Sequence, residues 1–123
     1  MMPDVYFFDS YAIIEILKGN SAYLPYEQAI IVTTKLQVFE VFYSLLRDVG
    51  KQEAADFLKR YMQYTIDFDA SIIEQAALLK LHYRKNNLSM TDCVGYCLAL
   101  QIGIRFLTGD RQFEHFVEVE FVK

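Results

Sequence analysis

The sequence predicts an α/β fold, a three-layer α/β/α sandwich with a mainly parallel central sheet. Short, largely apolar runs such as Val5–Phe8 and Ile104–Leu107 are typical of strands that are buried on both faces. Longer segments with capping residues at their starts separate these runs, and such alternation of strands and helices favours a parallel sheet. A length of 123 residues suits one domain, so we expect residues 1–123 to form a single domain.

The first half of the chain contains two apolar runs and three helical segments. Asp9 stands directly after the first run, where an acid is a favoured helix N-cap, and Gly19 ends the helix that follows. Thr33 or Thr34 caps the second helix, and Gly50 closes it. The predicted order is strand 5–8, helix 12–18, strand 29–32, a helix from 34 to about 49, and helix 51–62.

The second half of the chain continues the alternation. Asp69 or Ser71 opens one helix, and Ser89 or Thr91 caps the next, which ends near Gly103. Asp110 opens a short helical turn. The predicted order is strand 65–68, a helix to about 87, a helix to about 103, strand 104–107, the turn, and an edge strand 119–122.

Composition excludes several classes of protein. A hydrophobic content of 54% supplies a core and argues against disorder, and a net charge of -4 is not typical of bulk electrostatic binding to nucleic acid. The sequence predicts no signal peptide, and its apolar runs are far shorter than the ~20 residues that span a bilayer. Cys93 and Cys97 form neither a zinc set nor a disulfide framework, so we expect buried free thiols in the cytoplasm.

Four acids lie where this fold class places its chemistry. Asp9 and Asp110 follow the first and fourth predicted strands, and open parallel sheets bind ligands outside the carboxyl ends of their strands. Asp92 falls at the third position of a helix capped by Ser89, where an acidic capping box explains it equally well. Glu40 shares a narrow polar strip with Gln37 that faces either solvent or a cleft. A structural role therefore stays open beside the functional one for each acid.

Carboxylates that converge in one cleft repel one another. A hard divalent cation with oxygen ligands, Mg²⁺ or Mn²⁺, relieves that repulsion and assists chemistry at phosphoryl groups. We therefore predict that Asp9, Glu40, Asp92 and Asp110 share a metal ion. Ser10 and Thr108 adjoin two of these acids, and we expect them to orient the carboxylates through hydrogen bonds.

These residues occur in segments that resemble PIN-domain ribonucleases, and among them the VapC-type toxins of type II toxin–antitoxin systems. Tyr11 departs from the Asn or Ser that the family often carries near this point. The order, spacing and total length of the segments together make the resemblance fairly specific, although no single segment does. The segments are Tyr6–Ser10, Thr34–Arg47 with Glu40, Leu88–Leu100 with Asp92, and Phe106–Phe113 with Asp110.

The resemblance implies an endoribonuclease that hydrolyses RNA phosphodiester bonds with Mg²⁺ or Mn²⁺, with the same four acids as catalytic residues and metal ligands. It also implies a cytoplasmic homodimer that a small antitoxin protein silences. Arg111, beside Asp110, is a weak candidate for contact with the RNA substrate, since an ordinary solvated arginine explains it more simply.

Other interpretations stay open at this point. A PIN-fold nuclease that processes RNA without an antitoxin, or a non-catalytic PIN-like binding module, would carry the same segments. A haloacid-dehalogenase-like phosphatase also has an Asp after its first strand, but it needs a second acid where this chain has Tyr11. A receiver-like phosphorylation switch would accept phosphate on Asp67 or Asp69, but it needs paired acids near the first strand.

Overall fold

The computed structural model describes residues 2–123. Their four strands form one parallel sheet in the order β2–β1–β3–β4, which places β1 and β3 in the middle. The strands are β1 (Val5–Phe8), β2 (Ile30–Val32), β3 (Arg105–Thr108) and β4 (Val119–Phe121). The α-helices of the described residues are α1 (Ser10–Lys18), α2 (Lys35–Asp48), α3 (Lys51–Tyr61), α4 (Ala70–His82) and α5 (Met90–Ile102).

The sheet separates two hydrophobic cores. Successive side chains of a strand point to opposite faces, so Phe7 and Phe106 pack on one face with α4 and α5. Phe8 and Leu107 pack on the other face with α1, α2 and α3. All four side chains are completely buried. The three-layer α/β/α sandwich with a parallel sheet, predicted from the apolar runs, is confirmed.

The predicted third strand at 65–68 is wrong. Thr65 forms only an isolated parallel bridge with Thr33, beyond the end of β2. The chain leaves the sheet at once because Asp69 caps α4, accepting hydrogen bonds from the amides of Ser71 and Ile72. Residues 65–68 thus meet the sheet edge at one bridge and form no strand of their own.

The end of one helix and the presence of another also differ from the predictions. Helix α4 ends at His82 rather than near residue 87, because the backbone turns at Tyr83 and the Asn86 amide donates to the Tyr83 carbonyl. A 3-10 helix at Ser21–Tyr26, capped by the side chain of Asn20, occupies a segment for which no element was predicted. The other predicted helices and strands lie within about two residues of their observed ends, which is ordinary for helix and strand boundaries.

Cys93 and Cys97 are both buried free thiols, as predicted. Within residues 2–123 every helix is too short or too polar to span a lipid bilayer.

The carboxyl edge of the sheet is closed by a tightly packed turn at Gly109. The Val122 amide donates to the Thr108 carbonyl at 2.9 Å, and the Tyr23 hydroxyl donates to the Val122 carbonyl at 2.7 Å. A Cβ on Gly109 would lie 2.2 Å from Cε1 of Tyr11 and 2.4 Å from the Val122 carbonyl oxygen. Only glycine therefore fits between β3 and Asp110.

We predict that Gly109→Ala lowers the free energy of unfolding by about 1–3 kcal/mol, because the new methyl group must displace Tyr11 and the backbone of Val122. Chemical denaturation of the purified variant measures the change. Gln101→Ala, at an exposed site on α5, is the control and should stay within about 0.5 kcal/mol of wild type. Equal stability of the two variants would contradict the packing argument.

Candidate active site

Asp9 lies at the carboxyl end of the central strand β1 and is only 3% exposed. Its carboxylate caps α1 by accepting a hydrogen bond from the Ala12 amide at 2.8 Å. The pKa of Asp9 is raised to about 7, mainly by burial and also by the charges of Asp92 and Asp110, against the lowering effect of hydrogen bonds from the Thr108 side chain and the Ala12 amide. Asp9 is thus both the predicted helix cap and an acid whose burial disfavours its charged form.

Asp110 follows β3, the strand beside β1, and is half-buried. It caps the 3-10 turn Arg111–Phe113 by accepting a hydrogen bond from the Gln112 amide at 3.0 Å. Its own amide donates to the Thr108 hydroxyl at 3.0 Å. The hydroxyl of Thr108 therefore fixes the turn on which Asp110 stands.

Asp92 lies in the first turn of α5 and forms the predicted capping box with Ser89. The Ser89 amide donates to Oδ2 of Asp92 at 3.0 Å, and the Asp92 amide donates to the Ser89 hydroxyl at 3.0 Å. Burial is the main cause that raises the pKa of Asp92, and the charges of Asp110 and Glu40 add to it. Asp92 therefore has the helix-capping role that the sequence left open, and its carboxylate also lies near Asp110 and Glu40.

Glu40 projects from the middle of α2 and is half-buried. Its Oε1 accepts a hydrogen bond of 2.6 Å from the hydroxyl of Ser10. Ser10 follows Asp9 in the chain, and the bond therefore joins the start of α1 to α2 across the site. Ser10 orients Glu40 in this structure, whereas its place in the sequence had pointed to Asp9.

The four acids lie close enough for their charges to act on one another. Asp92 and Asp110 act on Asp9, and Asp110 and Glu40 act on Asp92. None of the ion pairs found in residues 2–123 involves any of the four. Oxygen donors without a positive partner are the chemistry that Mg²⁺ and Mn²⁺ prefer, and the donor set fits such an ion.

The carboxylates are not gathered around one point. Across residues 2–123, no group of three or more His, Cys, Asp or Glu side chains is arranged to hold a metal ion. Ser10 and Ser89 hold Glu40 and Asp92 by hydrogen bonds, and like charges favour separation. The shared metal ion therefore stays a prediction that rests on donor chemistry and uncompensated charge.

Arg111, Asp67 and Asp69 are the other residues for which the sequence suggested a functional role. Arg111 is exposed in the turn after Asp110. Asp69 caps α4, and Asp67 is exposed and lies 3.7 Å from Nζ of Lys35. Since no strand precedes Asp67 and Asp69, the geometry that a receiver-like phosphorylation switch needs is not formed there.

The complete burial of three polar residues near the acids was not predicted from the sequence. These residues are Thr33, Thr34 and Gln37. The helical wheel placed Gln37 with Glu40 on a strip that faces solvent or a cleft, and for Gln37 this is wrong because its amide points into the protein against α5. A wheel describes one helix alone, so it gave no signal for a contact with a helix more than fifty residues away.

Comparisons with known proteins agree with the fold. The family model of the PIN domain matches residues 6–119. Comparison with curated protein sequences gave no match.

Solved structures have a similar fold at low sequence identity. VapC20 of Mycobacterium tuberculosis, described as a sarcin–ricin loop cleaving toxin, is 18% identical over 94% of this chain and 98% of its own, with a TM-score of 0.73. A toxin–antitoxin complex from Klebsiella pneumoniae is 17% identical over 94% and 95%, with a TM-score of 0.73. VapBC2 of Rickettsia felis, bound to a fragment of promoter DNA, is 15% identical over 97% and 99%, with a TM-score of 0.70.

We predict that Asp9→Asn stabilises the metal-free protein near pH 8. The raised pKa means that the native state binds a proton more tightly than the unfolded chain, so wild type loses stability as the pH rises from about 4 to about 7. Asparagine keeps an oxygen for the Ala12 amide and carries no charge, so the gain should be on the order of 2 kcal/mol near pH 8.

Thermal or chemical unfolding in EDTA, repeated between about pH 4 and pH 8, tests this linkage. The difference between Asp9→Asn and wild type should narrow steadily as the pH falls. The exposed Asp4 offers a control, since Asp4→Asn should give a small and nearly constant difference. A destabilised Asp9→Asn protein at the alkaline end would show that the carboxylate charge is compensated.

Proposed function

The chain belongs to the PIN domain family, and from this premise we propose that it is a metal-dependent endoribonuclease that acts as the toxin of a toxin–antitoxin pair. The observation that carries the proposal is a cluster of four acids, from four different segments of the chain, with no positive partner among the ion pairs of residues 2–123. The structural similarity to VapC20, which is described as a toxin that cleaves the sarcin–ricin loop, supports the choice of reaction.

Asp9, Glu40, Asp92 and Asp110 are the residues that would hold Mg²⁺ or Mn²⁺. When bound, such a cation supplies a water of lowered pKa and positive charge beside the phosphoryl group. Four carboxylates alone would repel an RNA phosphate, so binding of the substrate at this edge depends on added positive charge. We propose Arg111 as a further contact to RNA phosphates, because it is exposed and follows Asp110 directly.

The protein's own residues prepare the site before any ligand binds. Asp9 is fixed by burial and by the Ala12 amide, and Ser10 holds Glu40 with a short hydrogen bond. Ser89 holds Asp92, and Thr108 fixes the turn that carries Asp110. Neighbouring groups thus restrain each carboxylate at this edge of the sheet, and a shared cation would draw the carboxylates closer together.

The antitoxin is the second part of the proposal, and it rests on a cleft at a distance from the acids. A cavity of about 730 Å³ opens between α1, α2 and α3. The hydroxyl of Tyr61 is buried at this cleft with no hydrogen-bond partner within residues 2–123. Its lining combines apolar side chains with charges of both signs: Ile14, Leu17, Leu45, Val49 and Phe57, with Lys18, Arg47, Asp48, Glu53, Asp56 and Arg60.

We propose that an apolar segment of the antitoxin fills this cleft. Apolar side chains mixed with charged ones are the usual composition of a protein interface. Two of the similar structures are described as toxin–antitoxin complexes or as VapBC, which supports this kind of partner. The homodimer and the cytoplasmic location implied by the resemblance stay predictions.

We expect the purified protein to cut RNA with Mg²⁺ or Mn²⁺ and to lose that activity in EDTA. Asp9→Asn should reduce cleavage by about 100-fold or more, while circular dichroism shows an intact fold. Calorimetric titration of Mn²⁺ into wild type and Asp110→Asn gives a second readout, with weaker binding in the variant. Equal Mn²⁺ binding by both proteins would contradict the shared metal site, and loss of cleavage without loss of fold would support it.

The antitoxin proposal predicts a result for Leu17→Glu, a substitution at the cleft that leaves the core intact because Leu17 is 38% exposed. The probe is the product of a small reading frame next to this gene, co-expressed and purified. We expect its affinity to fall about tenfold or more, while Leu81→Glu on α4 has little effect. Undiminished affinity of Leu17→Glu would place the partner elsewhere, and the lack of any such reading frame would favour RNA processing without an antitoxin.

A further inference from the structure

The side chain of Gln37 joins the two helices that carry Glu40 and Asp92. Gln37 is completely buried in the first turn of α2, one turn before Glu40. Its Nε2 donates to the carbonyl oxygen of Thr91 at 3.0 Å, and Thr91 directly precedes Asp92 in α5. A single side-chain amide therefore links the start of α2 to the start of α5.

The other end of the amide is held as well. Oε1 of Gln37 accepts a hydrogen bond from the hydroxyl of Thr34, which also caps α2 by accepting from the Leu36 amide. The neighbouring Thr33 donates its hydroxyl to the carbonyl of Phe8 at 2.9 Å, at the end of β1 and next to Asp9. Buried polar contacts thus run from the segment of Asp9 through α2 to the segment of Asp92.

Gly95 makes room for this contact. It lies one helical turn after Thr91, on the side of α5 that the amide approaches. A Cβ at this position would lie 2.5 Å from Nε2 of Gln37, 2.9 Å from a ring carbon of Phe7 and 3.2 Å from one of Phe106. The glycine and the glutamine therefore form one packing unit within the core.

Stability alone is a poor reason for this arrangement. A satisfied buried amide contributes little net stability compared with an apolar side chain of the same shape, because both of its polar ends must be desolvated. Directional hydrogen bonds do, however, restrict how two packed helices can slide or rotate against each other. Gln37 is therefore better suited to fixing the relative position of α2 and α5 than to holding the protein folded.

We propose that Gln37 is a positioning residue, whose amide fixes α2 against α5 and thereby sets where Glu40 lies relative to Asp92 when the two acids bind a cation. The inference rests on the proposed function, because it assumes that these acids bind a metal. It assigns no contact between Gln37 and the metal or the RNA.

The test compares Gln37→Met, which keeps the length of the side chain and removes both hydrogen bonds, with Val38→Ala, which removes core packing from the next residue of the same helix. Unfolding in EDTA measures the loss of stability in each variant, calorimetry measures Mn²⁺ affinity, and RNA cleavage gives kcat and KM. For Gln37→Met we expect Mn²⁺ affinity and kcat to fall about tenfold or more, with little change in KM. Val38→Ala should lose stability without that loss of affinity.

A double-variant cycle shows whether Gln37 acts through the acid. In the Glu40→Gln background, the further change Gln37→Met should reduce Mn²⁺ affinity very little, because residues that act as one unit are not additive. Gly95→Ala offers an independent route to the same defect, since its methyl group displaces the Gln37 amide while the glutamine itself is kept. We expect it to lower Mn²⁺ affinity in the same direction.

The outcomes separate the two proposals. If wild type binds Mn²⁺ and cuts RNA while Gln37→Met matches Val38→Ala in both affinity and kcat, the positioning role is overturned and the proposed function stands. Full additivity with Glu40→Gln also overturns it. If wild type neither binds Mn²⁺ nor cuts any RNA, the proposed function fails and the positioning role fails with it.

Discussion

The structure depends on the placement of an acid, Asp9, inside the protein at the end of its central strand. Burial and two neighbouring carboxylates raise the pKa of Asp9, so the charged form costs free energy that the fold must supply elsewhere. The sheet order leaves no other position for this residue, because β1 lies between β2 and β3 and its carboxyl end opens at the same edge as that of β3. The negative edge is therefore a consequence of the topology combined with the acids that follow these strands.

Three of the four acids serve the fold and the candidate site with the same side chain. Asp9, Asp92 and Asp110 each accept hydrogen bonds from amides at the start of a helix or helical turn. Amides and the helix dipole at such positions favour negative charge, and this partly offsets the cost of gathering carboxylates without a cation. A structural role for these acids is thus no argument against a functional one, since the caps make a negative cluster tolerable in the absence of a ligand.

Local signals explain how much of the molecule the sequence could predict. The strands at Val5–Phe8 and Arg105–Thr108 and the caps at Thr34 and Ser89 were predictable because each depends on residues within one or two turns. The strand predicted at 65–68 does not form because a strand needs a partner strand, and only Thr65 is paired. The burial of Gln37 could not be predicted for the same kind of reason, since it depends on α5 and on Gly95 in that helix. Asp9 and Asp110 could be grouped because parallel strands share a carboxyl edge, whereas Asp92 and Glu40 joined them through a helix start, a polar strip and the family resemblance. The hydrogen bond from Ser10 to Glu40 could not be predicted.

The charge of the whole protein bears on how such a site would work. A net charge of -4 gives no long-range attraction for RNA, and the local cluster of acids repels it further. Binding of a phosphodiester at this edge therefore requires positive charge, either from a bound metal ion or from nearby basic side chains such as Arg111. The same negative edge would attract a basic peptide, so one electrostatic feature would serve both metal-assisted binding of RNA and inhibition by a partner with a basic tail. A substitution that neutralised the cluster would accordingly weaken both interactions, and the two functions could not be lost independently at this edge of the sheet.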